Sequence, residues 1–368
     1  MFNKSSKDKN RFMLTGSFSK HGYDWWWHSF TALDEFNNEV PFFMEFFITN
    51  PKIEGDLDLG LVSKKPKFLM IKIGHWGKDK IELNKFIDLN CVKIGYDVPF
   101  EVESKFGTLS ETKSTGSFVI DETDLGYKNG FSDLGSVSWN LDIKKEVPFN
   151  VGYGTSRFLR FIKAFQMYWH AEGMKSSYSG EIIINDKKYT ILPEKSYGYA
   201  DKNWGRGFTS PWVWLSSNNI HSNLYNKDYK NSVFDIGGGC PKVYNIRLNR
   251  KLLSAFFIEG KRYEFNFSKV HTLVKTKFKC IETDDKIIWN VSQENRKYKY
   301  YLEASCLKED MIHVHYIDPS GIKRFSKLWN GGNGVANIKI YKKGKKYRLI
   351  DDLTAKNLGC EYGEFDKN

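Results

Sequence analysis

Between Tyr197 and Asn219 the chain concentrates side chains that can move protons and hold charge. The run is Tyr197-Gly198-Tyr199-Ala200-Asp201-Lys202-Asn203-Trp204-Gly205-Arg206-Gly207-Phe208, followed by Trp212-Val213-Trp214 and Asn218-Asn219. A plain structural strand alternates apolar and polar residues, and local departures from that pattern gather at functional sites. In an extended segment successive side chains point to opposite faces, so Tyr197, Tyr199, Asp201 and Asn203 share one face while Lys202 and Trp204 share the other. One face then presents phenols, an acid and an amide together. A carboxylic acid held among apolar groups resists ionisation and can serve as a proton donor. The rings of Tyr197, Tyr199, Trp204, Trp212 and Trp214 can stabilise a developing cation through their quadrupoles. Such a site calls for no cofactor and no metal. The same residues also fit a structural role, with Asp201 and Asn203 capping turns and Trp204 packed as a lock on a strand. Lys202, on the opposite face, is expected to meet solvent or a second domain.

Other candidates are more scattered. His170 and Glu172 share a face if extended and form a second possible acid–base pair, and His28 lies within the aromatic run Trp25-Trp26-Trp27. Trp25 and Trp27 are expected to line a ligand pocket together with Tyr197, Trp204, Trp212, Trp214, His170 and Glu172. Glu45 stands among Phe42, Phe43, Phe46 and Phe47, where an unpaired carboxylate is costly, so it is expected to face water or pair with a base. His313 and His315 share a strand face at a spacing used in zinc sites, but no third ligand accompanies them. The glycines at 237–239 and 331–334 lack the Lys and Ser or Thr of a phosphate loop.

The elements that must position these residues read as β-structure. Gly22–Leu33 and Pro41–Thr49 read as a hairpin across Asn37-Asn38, and Gly180–Ile184 with Lys188–Ile191 as another across Asn185-Asp186. Short runs bounded by turns fill much of the remainder, the rhythm of a sandwich or barrel. One segment breaks it: Phe158, Phe161, Ile162, Phe165, Tyr168 and Trp169 recur at helical spacing, which predicts a short amphipathic helix near 157–169. Each half carries a tryptophan-rich strand, which suggests duplication of one β unit, with domains at 1–195 and 196–368 and the central run beside their joint.

With 368 residues, 40% of them hydrophobic, the chain can bury a large core. Aromatic residues make up 16%, the composition of a β-rich protein with an aromatic cavity. The formal charge of +12 is spread along the sequence without a nucleic-acid-binding fingerprint, so no nucleic acid is expected. Weak, salt-sensitive peripheral contact with an anionic membrane is compatible with that charge. Five cysteines without CxxC spacing indicate neither a disulfide framework nor a zinc site. With no secretory leader at the N-terminus and no bilayer-length apolar run, a cytoplasmic location is expected.

The series His170–Met174, Gly180–Ile184, Tyr189, Gly198–Phe208, Trp212-Val213-Trp214 and Asn218 resembles the tocopherol cyclase family, and more distantly the carotenoid hydratase group. The shared hallmark is a run of Tyr, acid, basic residue, Asn or Asp, Trp and Gly. Leu328–Gly332 and Cys360–Glu364 are similar to segments of bacterial relatives. The resemblance implies two lipocalin-like antiparallel β domains, a lipophilic isoprenoid-like or polycyclic small molecule as ligand, and cofactor-independent cyclisation, hydration or isomerisation. On the chemistry of the stretch, Asp201, with Tyr199 and Asn203, is the candidate reactive group. In such enzymes an acid protonates an isolated alkene and aromatic rings stabilise the tertiary cation. Plant cyclases usually carry Glu where Asp201 stands and Phe-Pro where Phe208-Thr209 stands. A carrier or sensor of the same ligands, without chemistry, is the alternative; a scaffold with a filled core is a third.

Overall fold

The computed structural model describes residues 10–59, 65–96, 100–125, 131–149, 161–244, 246–322 and 324–364. It is nearly all antiparallel β-structure and has a lipocalin-like architecture. Two units divide the chain: Met1–Asn150, Met167–Phe208 and His315–Phe325 form the first, and Val151–Gln166, Thr209–Val314 and Ser326–Asn368 the second.

The first unit holds strands β1 (Tyr23–Leu33), β2 (Glu39–Thr49), β3 (Phe68–His75), β4 (Ile81–Ile87), β5 (Lys93–Ile94), β6 (Glu101–Ser104), β7 (Gly107–Ser110), β8 (Lys113–Ile120), β9 (Gly135–Phe149), β10 (Met167–Ile184), β11 (Lys187–Ile191) and β12 (Gly198–Gly205). They form one sheet in the order β4-β3-β2-β1-β11-β10-β9-β8-β7-β6-β5, with β12 paired to both β1 and β10. The hairpin turns are those the sequence predicts. Asn37 (φ 63°), Asn185 (φ 48°) and Asp186 (φ 65°) adopt the left-handed conformation that such residues tolerate.

The sheet curls on itself. Trp139 of β9 donates its indole N–H to Ser114 Oγ (2.9 Å), and Ser114 in turn reaches Met44 Sδ of β2 (3.4 Å). The even-numbered residues of β1 and β2 therefore look across the interior onto β8 and β9. Burial along β1, β2, β3 and β12 is almost continuous, so both faces of these strands are covered. That explains why the Tyr197–Phe208 run does not alternate apolar and polar residues: neither face has to be wet.

The second unit contains β13 (Trp212–Ser217), β14 (Asn219–Ser222), β15 (Lys227–Tyr229), β16 (Val233–Gly239), β17 (Lys242–Val243), β18 (Ile246–Arg247), β19 (Lys251–Ile258), β20 (Lys261–Phe265), β21 (Lys275–Glu282), β22 (Lys286–Glu294), β23 (Tyr298–Leu307), the first part of β24 (Ile312–Ile317), and nearly all of β25 (Arg324–Lys342) with β26 (Arg348–Gly363). The main path is β20-β19-β16-β13-β26-β25-β23-β22-β21. Here alternation is clean. In β22, Ile287, Trp289, Val291 and Gln293 are buried while the residues between them are half-buried. Gln293 closes the sheet by donating to Leu252 O of β19 (2.7 Å), above a core that includes Phe234, Phe256, Trp289 and Tyr300.

Two expectations are adjusted. Of the helix expected near 157–169, residues 157–160 lie outside the described residues and Phe161 is helical, whereas at its far end Met167, Tyr168 and Trp169 open β10. Their registers, Met167 with Gly205, Tyr168 with Trp204 and Trp169 with Asn203, supply ladder bonds that override the helical spacing. The boundary expected at 195/196 falls instead after Phe208, because β12 is bonded on one side to β1 and on the other to β10. No helix among the described residues is long and apolar enough to cross a membrane.

Close approach makes Gly198 at the start of β12 irreplaceable. A Cβ there would lie 2.4 Å from two ring atoms of Tyr178 and 2.7 Å from Ser176 O. Tyr178 cannot retreat readily, since its hydroxyl donates to Tyr199 O (2.9 Å) and lies 2.8 Å from His28 Nδ1. Gly198→Ala is expected to destabilise the protein by roughly 1–3 kcal/mol, the usual cost of overpacking. The midpoint of urea unfolding checks this; an unchanged midpoint would mean that the Tyr178 ring moves freely.

Candidate functional site

Strand registers arrange the site. On β12 the odd-numbered residues Tyr199, Asp201 and Asn203 share a face, and β1 places Ser29, Trp27 and Trp25 beside them in that order. Across β1, Trp27 pairs with Glu45 of β2, and Glu45 pairs with Lys72 of β3. A single lateral row thus runs Asp201–Trp27–Glu45–Lys72.

Asp201 is 6% exposed. Its Oδ2 accepts two hydrogen bonds, from Trp169 Nε1 (2.8 Å) and from the Tyr199 hydroxyl (3.0 Å). Asn203 is fully buried and its Oδ1 accepts from the Tyr23 hydroxyl (2.7 Å). Burial pushes the Tyr23 phenol well above its ordinary range, and the nearby Asp24 and Asp201 add to that rise. Its proton therefore stays in the bond to Asn203.

Aromatic rings build the rest of this face. Trp27 stacks on Phe43 at 5.8 Å with an interplanar angle of 2° and lies 6.3 Å from Trp76. Trp25 is half-buried and packs against Phe47, Phe208 and Tyr316. Tyr316 also donates its hydroxyl to Glu45 Oε2 (2.7 Å). Lys72 Nζ lies 3.6 Å from the same oxygen and 3.2 Å from Glu82 Oε1, with the Tyr316 ring 4.5 Å away.

The opposite face of β12 has different chemistry. Lys202 is not at a surface: it is fully buried, forms an ion pair with Asp24, and sits 3.7 Å over the Trp26 ring. Burial is the main cause that brings the Lys202 ammonium down to about 8 and lifts Asp24 to about 6, each against the pull of its partner. Nearby, Lys145 bridges Glu172 (2.7 Å) and Glu111 (3.0 Å). Burial raises Glu172 and outweighs the pull of Lys145. On Lys145 burial acts downward, but the two carboxylates prevail and its ammonium is raised. The Tyr178 proton goes to Tyr199 O, so His28 must donate from Nδ1; burial, aided by Lys145, keeps this imidazole neutral.

The sequence candidates thus separate. Tyr199, Asp201, Asn203, Trp25 and Trp27 share one face of the first unit. Trp204 lies on the other face, stacked 5.4 Å from Tyr168. His170 is in register with Lys202 and Glu172 is bound to Lys145, so both belong to the buried ionic cluster on that opposite side. Tyr197, at φ 41°, precedes β12 and is not part of its alternation. Trp212 and Trp214 belong to β13 of the second unit, where they donate to Glu361 and Asp235. Among the described residues no cluster of three or more His, Cys, Asp or Glu side chains is suited to a metal ion.

Sequence reasoning missed Trp169, hidden in a segment read as helical. It also missed Lys72 and Tyr316, which only pairing and packing bring to Glu45. Glu45 itself was visible as a carboxylate in a phenylalanine-rich strand, and it does pair with a base.

Residues 72–364 match the protein family described as tocopherol cyclase-like. The chain belongs to that family. Among solved structures, kievitone hydratase from Nectria haematococca is similar over 98% of this chain and 97% of its own, at 10% identity and a TM-score of 0.53. An AttH-like protein from Nitrosomonas europaea is similar over 94% and 97%, at 9% identity and a TM-score of 0.49. At these identities the likeness to kievitone hydratase concerns the fold. No curated protein matches the chain. The tocopherol cyclase-like match takes in Trp169, Tyr199, Asp201 and Tyr316, whereas β1 and β2, with Trp25, Trp27 and Glu45, precede it.

Proposed function

We propose that this tocopherol cyclase-like protein binds a lipophilic, isoprenoid-like or polycyclic molecule on the Asp201 face and protonates an alkene in it, leading to cyclisation, hydration or isomerisation without a cofactor. The observation that carries this reading is the setting of Asp201: a carboxyl buried among rings, with two donors on one oxygen. Because Trp169 and Tyr199 both address Oδ2, the proton of the acid form sits on Oδ1. The acid is thereby oriented as well as buried, and water competes poorly for its proton. The faces of Trp27 and Trp25 then stand where positive charge develops. Membership of the tocopherol cyclase-like family supports the reaction class.

The test is incubation of wild type and Asp201→Asn with a lipid extract, followed by mass spectrometry of bound and altered species. Wild type is expected to retain and convert a component that the variant retains unchanged. A component retained unaltered by both proteins would favour carriage without chemistry. An extract from which neither protein retains anything would contradict the binding claim itself.

A further inference from the structure

Five connecting segments of the second unit come together at one end of its sheet. β14 runs toward the start of β26, so the turn after Ser222 lies beside Asp352, whose carbonyl accepts from Asn223 N (2.7 Å). Lys227, which opens β15 after that turn, is 3.7 Å from Glu259 in the turn between β19 and β20. The turn between β25 and β26 meets the one between β22 and β23 through a bond from Lys343 N to Lys297 O (2.8 Å). Arg296 N in turn donates to Thr272 O (3.3 Å), in the segment that leads into β21.

Two of these turns are strongly basic. Arg296, Lys297, Lys342, Lys345, Lys346 and Arg348 are all exposed, and none of the six has an acidic partner among the described residues. The nearby carboxylates Glu259, Glu264 and Glu294 are already engaged, with Lys227, Lys269 and Lys343. Large apolar side chains stand on the same turns. Tyr225, Leu273 and Tyr347 are each more than half exposed, and Leu224 nearly so. Single exposed apolar residues need no explanation, but here they recur on three separate turns beside uncompensated cations. Nucleic-acid sites favour a basic channel floored by rings, whereas these cations and leucines stand on turn tips. Cations for lipid headgroups, with leucine and tyrosine for the acyl boundary, are the components of a peripheral membrane contact.

We propose that this end of the second unit docks on the surface of a bilayer rich in anionic lipid. The six cations meet the headgroups, and Leu224, Tyr225, Leu273 and Tyr347 reach the boundary with the acyl chains. The docking stands whether or not Asp201 acts as an acid. Near an anionic leaflet each Lys or Arg contributes roughly fivefold in affinity, and salt weakens that contribution.

The test is sedimentation of the full chain with vesicles of phosphatidylcholine alone and of phosphatidylcholine containing about 30% phosphatidylglycerol. At low salt, binding to the anionic vesicles should be at least about tenfold tighter than to the neutral ones, and about 0.5 M salt should abolish the difference. Lys345→Glu with Lys346→Glu should weaken binding to the anionic vesicles by at least about twentyfold. Lys279→Glu with Lys356→Glu changes the net charge equally, at exposed positions within β21 and β26 and away from the turns, and should stay within about twofold of wild type. Leu224→Ser with Tyr347→Ser should weaken binding by about tenfold while keeping the preference for anionic vesicles. All these side chains are exposed, and an unchanged urea midpoint shows each variant folded. Equal binding of wild type to both vesicles, no binding at low salt, or equal losses in the two charge-reversed variants would overturn the proposal. So would binding of a single-stranded oligonucleotide through Lys345 and Lys346 with none to vesicles, which would assign this end to nucleic acid instead.

Discussion

Lys202→Met is expected to destabilise the protein by about 3–5 kcal/mol at pH 7, the range for removing one partner of a buried ion pair. The variant leaves the Asp24 carboxylate fully buried, with only Met13 N (2.7 Å) among its former partners. The pair itself is not a source of net stability. Asp24 is pushed up from 3.8 to about 6 and Lys202 down from 10.5 to about 8, burial being the largest cause for both. For Asp24 the fold favours the neutral acid, so its contribution is complete below pH 3.8 and is lost as pH rises through about 6. For Lys202 it favours the neutral amine, so that contribution is complete above pH 10.5 and is lost as pH falls through about 8. Between those values both groups are charged and the desolvation cost is at its greatest. The double variant Asp24→Asn with Lys202→Met removes both charges and keeps an acceptor for Met13, so it should lie within about 1 kcal/mol of wild type or above it. Urea unfolding at pH 5, 7 and 9 checks both parts. Wild type should be least stable at pH 7, and the double variant should lose that dip. If the double variant were as unstable as the single one, the two groups would not form an energetic unit.

Asp201→Asn should lower conversion of an alkene substrate by at least about a thousandfold, near the upper range for loss of a general acid. Stability should change little, because an amide oxygen can accept the same bonds from Trp169 and Tyr199 that Oδ2 accepts. Only the transferable proton is removed. Trp169→Phe is a gentler probe of the same geometry: it preserves a ring at the β10 position while leaving Tyr199 as the one of these two donors to orient the acid. A rate loss there, with ligand affinity kept, would mark orientation as the contribution of the indole N–H.

The parts of the fold that depend on local physics were legible in the sequence. Asn185-Asp186 announced its hairpin because those residues tolerate positive φ, and the exposed strands of the second unit alternate as a half-buried sheet must. Alternation alone also placed Tyr199, Asp201 and Asn203 on one face, opposite Lys202 and Trp204. What failed were inferences that needed the partner strand. Lys202 looked like a solvent-facing lysine because nothing local reveals that β12 is covered on both sides and that Asp24, 178 residues earlier, neutralises it. Tyr168 and Trp169 matched a helical period over too few residues to exclude a strand. Only their register with Trp204 and Asn203 decides the matter. The row that joins Asp201 through Glu45 to Lys72 depends on three registers among four strands, and Tyr316 arrives from 271 residues beyond Glu45. Long-range pairing of this kind leaves no local trace beyond the oddity of a carboxylate among phenylalanines.

The central claim is that Asp201 delivers a proton to carbon. Its most direct test is incubation of an alkene-bearing prenylated hydroquinone with the protein in D₂O, with the product examined by mass spectrometry and NMR. The account predicts one deuteron bound to carbon in the cyclised or hydrated product of wild type, and no such product from Asp201→Asn. Product formed at the wild-type rate by Asp201→Asn, or wild-type product free of carbon-bound deuterium, would contradict it.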